Sequence, residues 1–114
     1  MRPRILWPLA LTALFAFNAC ARPLVSRALT AGVAAARADD WDEAVRQWTA
    51  ACERDPGSAA AHNNLAVALE RRGAWDDARR EYETALRLDP DNATVKFNQE
   101  AFKARLESAR GRTR

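Results

Sequence analysis

Cys52 and His62 are the two side chains whose types and spacing could do covalent chemistry. The chain holds one histidine and two cysteines, the other being Cys20. A thiol beside an imidazole makes a nucleophile when a third group orients the ring and donors await the oxyanion. Cys52 falls near the end of one expected helix and His62 near the start of the next, so the two can face each other, but their spacing supplies neither the orienting group nor the donors. No catalytic residue is assigned. A zinc motif needs cysteines, histidines or carboxylates clustered at ligand spacing. One histidine without such a cluster is not one, so no metal and no cofactor is expected. Asn92-Ala93-Thr94 fits a glycosylation acceptor, yet it stands where a helix needs its first amide capped.

Chemistry of another kind is expected at Cys20. Arg2 and Arg4 precede an apolar run of thirteen residues, Ile5 to Phe17, followed by small residues. This has the form of a secretory signal peptide over residues 1–19 and is too short to span a bilayer comfortably. The segment FNAC resembles a bacterial lipobox, in which the cysteine becomes the lipidated first residue, with Phe17 and Asn18 departing from the usual types. The other reading cuts after Ala21 and discards Cys20. In either case Cys52 is left without a disulfide partner. The formal charge of +3 loses Arg2 and Arg4 with the leader, leaving 16 basic against 15 acidic residues, so nucleic acid is not an expected partner. An asymmetry remains: residues 37–92 carry 8 Arg against 13 acidic residues, and residues 96–114 carry 6 basic against 2 acidic.

The elements that position these groups are set by a repeat. WDEAVRQWTAACERDP begins at Trp41 and WDDARREYETALRLDP at Trp75, 34 residues later. Residues 25–58 laid over 59–92 match Gly32 to Ala66, Ala44 to Ala78, Trp48 to Tyr82, Ala51 to Ala85 and Asp55-Pro56 to Asp89-Pro90. Such a period denotes a helix-turn-helix repeat. Trp75, Ala78, Tyr82 and Ala85 form one stripe of a helix, and Gly32 and Ala66 are expected to be the flat spots that Ala44 and Ala78 meet. Acidic residues open each second helix, Pro56 and Pro90 end each pair, and Ser58 and Asn92 each cap the next helix of the chain. Gly73 suits a left-handed turn, and Asp39 in the same place suits it less, making the first turn the weaker copy. Residues 93–110 form a third, unfinished unit with Val95, Phe102, Leu106 and Ala109 on one face and Lys96, Gln99, Glu100 and Lys103 on the other. That is the pattern of a terminal cap, and residues 111–114 are expected to fray as a basic tail.

These residues resemble the tetratricopeptide repeat. The resemblance implies an all-α fold: a short right-handed α-solenoid of two repeats, 25–58 and 59–92, plus the capping helix, joined to Cys20 by a tether over residues 20–24. It also implies that the positions of Cys52 and His62 serve helix packing, and that a groove lined by the first helix of each pair binds a protein or peptide. By position the groove comprises Leu29, Thr30, Val33 and Arg37; Asn63, Asn64, Val67, Glu70 and Arg71; and Phe97, Asn98, Ala101 and Arg105. Only Asn64 meets the pattern with which some relatives grip a terminal carboxylate, so an apolar floor for a helix or extended segment is expected instead. Two repeats are fewer than such stacks normally need. A partner, self-association or the membrane is expected to supply the missing contacts, or the chain is a marginal monomer. The function expected is that of a non-enzymatic adaptor or assembly factor held by its lipid in a bacterial envelope, on the outer membrane facing the periplasm if the cell is Gram-negative. The alternatives are a self-associating structural module and a soluble exported protein.

Overall fold

Alanine-rich stripes at spacings of three and four leave room for helices to touch closely, and the chain packs accordingly. The computed structural model describes residues 12–113, with side chains from residue 22 onward. Its helices are α1 (Thr12–Arg37), α2 (Trp41–Arg54), α3 (Ala59–Arg71), α4 (Trp75–Leu88) and α5 (Ala93–Arg112). Each helix packs against the next along the chain, and α5 touches both α4 and α3. The described residues thus form an all-α solenoid. Arg2, Arg4, the first part of the apolar run and Arg114 lie outside the described residues, as does the side chain of Cys20.

The core is thin because alanine supplies most of it. Ala44, Trp48 and Ala51 of α2 and Ala78, Tyr82 and Ala85 of α4 are buried. One cluster joins Ala35, Ala44, Trp48, Leu65 and Ala68 across α1, α2 and α3; a second joins Ala66, Ala78, Tyr82 and Phe102 across α3, α4 and α5. Phe102 lies 5.3 Å from the Tyr82 ring and 6.0 Å from the Trp75 ring, in tilted arrangements favourable for aromatic pairs. Ala78 sits in this second cluster with no exposure. Ala78→Leu is therefore expected to lower stability by about 1–3 kcal/mol through overpacking, read as a lower urea midpoint with unchanged slope.

The first pair departs from expectation at Gly32. The nearest atoms to a Cβ built there belong to the Trp48 indole, not to Ala44. The ring takes the space because its Nε1–H donates to the Leu29 carbonyl at 3.2 Å, which draws it onto α1.

Both turns pass through the left-handed region, Asp39 at φ 59° and Gly73 at φ 75°. Asp39 bears this because its carboxylate accepts from Trp41 Nε1 at 2.5 Å, and the next residue, Asp40, caps α2 by accepting from the Glu43 amide. The corresponding position before α4 is Ala74, which has no side-chain cap. The first turn is therefore not simply the weaker copy: the left-handed cost at Asp39 is offset by a cap worth about 1 kcal/mol that the second turn lacks. Ser58 and Asn92 cap α3 and α5 as expected.

Both chain ends are more helical than the sequence implies. Residues 20–24, expected as a tether, lie within α1 with Pro23 inside the helix. Proline removes one intrahelical bond, and Arg22 and Leu24 on either side of it are good helix formers. At the other end α5 continues to Arg112, and Thr113 closes it by bonding the Arg110 carbonyl with both its amide and its hydroxyl. A single Gly111 costs too little to end a helix of this length. No helix among the described residues is long and apolar enough to cross a membrane.

Candidate functional site

The 34-residue period sets the expected groove residues in four rows across α1, α3 and α5, and the structure treats the rows differently. In the row of Val33, Val67 and Ala101, Val33 is exposed and the other two are half-buried, Val67 resting on the second core cluster. In the row of Thr30, Asn64 and Asn98, Thr30 is exposed and bonds the Ser26 carbonyl of its own helix, while Asn64 is half-buried. In the first row Leu29 is half-buried against the core, and Phe97 is 73% exposed.

Two expected groove residues are instead internal. Asn63 is buried and accepts from Asn98 Nδ2 at 3.1 Å. Glu70 is buried, accepting from the Tyr82 hydroxyl at 3.2 Å and from the Arg105 guanidinium through Nε and Nη2. Packing α5 onto α3 encloses these polar groups, and enclosed polar groups must be bonded. Asn98 and Arg105 are thereby occupied in holding α5. Each pair is separated by 35 residues, one more than the repeat period. That offset, with complementary side chains at both ends, is the signal in the sequence from which the contacts could have been found. Burial and the neighbouring Glu70 carboxylate hold the Tyr82 hydroxyl well above the ordinary phenol value.

The row of Arg37, Arg71 and Arg105 supplies positive charge beside the apolar residues. Arg37 and Arg71 are exposed, and the Arg71 guanidinium carbon lies 4.9 Å from the Trp41 ring centroid, a cation–π contact. One repeat on, the corresponding space between Trp75 and Arg105 is an open cleft of about 350 Å³, lined also by Ala104, Ser108, Ala109 and Arg112.

Away from these rows, the fold does bring Cys52 to His62. The His62 Nδ1 lies 2.6 Å from Glu81 Oε2, its Nε2 lies 2.9 Å from the Pro56 carbonyl oxygen, and ligand atoms of Cys52, His62 and Glu81 are all within 4.8 Å of one another. Glu81 belongs to α4, 19 residues beyond His62, and nothing in linear spacing points to it. Burial, followed by the charges of Glu81 and Asp55, pushes the Cys52 thiol up to about 12. That is the opposite of an activated nucleophile, whose pKa is lowered.

A family model described as tetratricopeptide repeat matches residues 29–93. No curated protein matches the chain. Among solved structures, the C-terminal TPR-containing domain of a Plasmodium falciparum protein described as FK506-binding is similar in fold. Its TM-score is 0.74 at 19% identity, over 94% of this chain and 68% of that one. With the match covering more than half its length, the chain belongs to the tetratricopeptide repeat family, whose repeats make protein–protein interaction modules.

Proposed function

We propose that this chain is a non-enzymatic adaptor or assembly factor, tethered to a bacterial envelope membrane by a lipid on Cys20, that holds a protein client across its first helices. The observation that carries the reading is the set of apolar and basic side chains the fold leaves exposed on those helices. Phe97 is 73% exposed and Val33 38%, and Arg37 and Arg71 are exposed on the same set of helices. This composition fits a client segment with apolar anchors and acidic residues, laid down as a helix or an extended strand. The basic start of the sequence, the apolar run and Cys20 support the anchor. Arg22 and Arg27 are exposed on α1. Ala28, the first buried residue among those of α1 whose side chains are described, lies eight residues beyond Cys20, about 12 Å along a helix. The first repeat would then sit against the bilayer with its arginines at the headgroups, each adding up to about 1 kcal/mol where the lipids are anionic. The second repeat and α5 would face the client.

One set of membrane preparations tests both halves. Wild-type chain is expected to label with fatty acid and sediment with membranes, and Cys20→Ser to do neither; a soluble wild-type protein starting at Arg22 would show cleavage after Ala21 instead. In crosslinked pull-downs from the same membranes, Phe97→Ser and Arg71→Glu are expected to weaken client recovery by about tenfold, the loss of roughly 1.4 kcal/mol usual for a binding anchor. Thr30→Ala should change recovery little. Equal recovery by all variants would remove these helices from the binding surface.

A further inference from the structure

The structure assigns a zinc-type metal site to the junction of the two repeats, with Cys52 Sγ, His62 Nδ1 and the Glu81 carboxylate as ligands.

Three helices converge to make it: Cys52 stands near the end of α2, His62 near the start of α3 and Glu81 midway along α4. Their ligand atoms lie within 4.8 Å of one another, each residue partly buried. Around a tetrahedral zinc, sulfur, nitrogen and oxygen ligands stand about 3.3–3.6 Å apart. Closing the cluster onto an ion therefore takes side-chain movements of about 1 Å, within the reach of small torsional adjustments. Three protein ligands leave the fourth tetrahedral position open to water or to a group from a partner.

The histidine ring is oriented through the nitrogen that does not bind. Its Nε2 faces the Pro56 carbonyl at 2.9 Å. Both partners only accept, so Nε2 donates to the carbonyl and Nδ1 to the Glu81 carboxylate at 2.6 Å; binding a metal releases the Nδ1 proton and frees its lone pair for the ion, while the Nε2 bond keeps the ring in place. Ligating histidines are commonly oriented by such a bond from the ring nitrogen that does not bind. The Pro56 carbonyl is itself held in a closed turn, where the Asp55 side chain accepts from the Gly57 amide and the Asp55 carbonyl from the Ser58 amide.

Repeat packing does not fix these residue types. One period on, the positions of Cys52 and His62 are Leu86 and Lys96, and one period back, the position of Glu81 is Gln47. The three ligand types therefore coincide at the first junction only. A soft thiolate with imidazole and one carboxylate selects zinc or a neighbouring transition ion over magnesium or calcium. The negative charges of Glu81, Asp55 and Glu53 around Cys52 likewise favour a dication.

The test is titration of the purified full chain with cobalt(II) as a spectroscopic stand-in, then with zinc. The expected result is a sulfur-to-cobalt charge-transfer band that saturates at one ion per chain and is displaced by zinc. Cys52→Ser should abolish the band, and His62→Gln and Glu81→Gln should each weaken binding by about tenfold or more. As a measurement independent of any variant's folding, zinc should raise the melting temperature of the wild-type chain, and a chelator should reverse the rise. Absence of the band, a band unchanged in His62→Gln, or a wild-type melting temperature indifferent to zinc would each overturn the assignment.

Discussion

Gly32→Ala is expected to destabilise the chain by about 2 kcal/mol, although helix propensity alone favours the change by about 1 kcal/mol. The new Cβ would overlap Trp48 Nε1 and fall 2.5 Å from Cε2 and 2.6 Å from Cδ1. These atoms belong to a rigid ring, only 4% exposed and held by its bond to the Leu29 carbonyl, so it cannot swing aside as a flexible side chain would. Overpacking of this severity costs about 3 kcal/mol, which exceeds the propensity gain and sets the sign. In a domain of this size the melting temperature should fall by roughly 10 °C. Combining the change with Trp48→Leu isolates the cause: in that background Gly32→Ala should become neutral or stabilising, because the clash is gone and the propensity remains. A melting temperature unaffected by Gly32→Ala in the wild-type background would mean that the indole does not lie on α1.

The second large effect is expected at the link between α3 and α5. Arg105→Ala leaves the Glu70 carboxylate, 8% exposed, with the Tyr82 hydroxyl as its remaining side-chain donor among the described residues. Breaking a fully buried ion pair costs about 3–5 kcal/mol. Because the Arg105 side chain is 54% exposed, water can partly replace it, and about 2 kcal/mol is expected. Removing both charges with Glu70→Leu and Arg105→Leu should cost less than Arg105→Ala, since no unpaired charge is then enclosed. The same cluster predicts an alkaline limit. The folded-state value of Tyr82 is raised, so its contribution is fully present below the ordinary phenol value of about 10 and is lost as pH rises above it. Urea midpoints measured across that range should fall more steeply for the wild type than for Tyr82→Phe. Matching slopes would mean that Tyr82 ionises as freely folded as unfolded.

Whatever depends on one helix or one turn could be read from the residues alone. The 34-residue period determined the helix pairs; Ser58 and Asn92 determined where α3 and α5 begin; the spacing of Trp75, Ala78, Tyr82 and Ala85 determined which face of α4 is buried. These are local properties, since helical periodicity, capping and proline constraints act over a few residues. Tertiary structure decided what lies between repeats. It turned Asn63 and Glu70 inward to meet Asn98 and Arg105, set the Trp48 indole rather than Ala44 against Gly32, and gathered Cys52, His62 and Glu81 from three helices. Each of these depends on the rotation and offset with which one helix pair stacks on the next. That offset is set by the combined shape of many small side chains, and a shift of one residue along a helix turns a side chain by about 100°. The partners 35 positions apart are therefore joined by an offset that the 34-residue period does not by itself pick out.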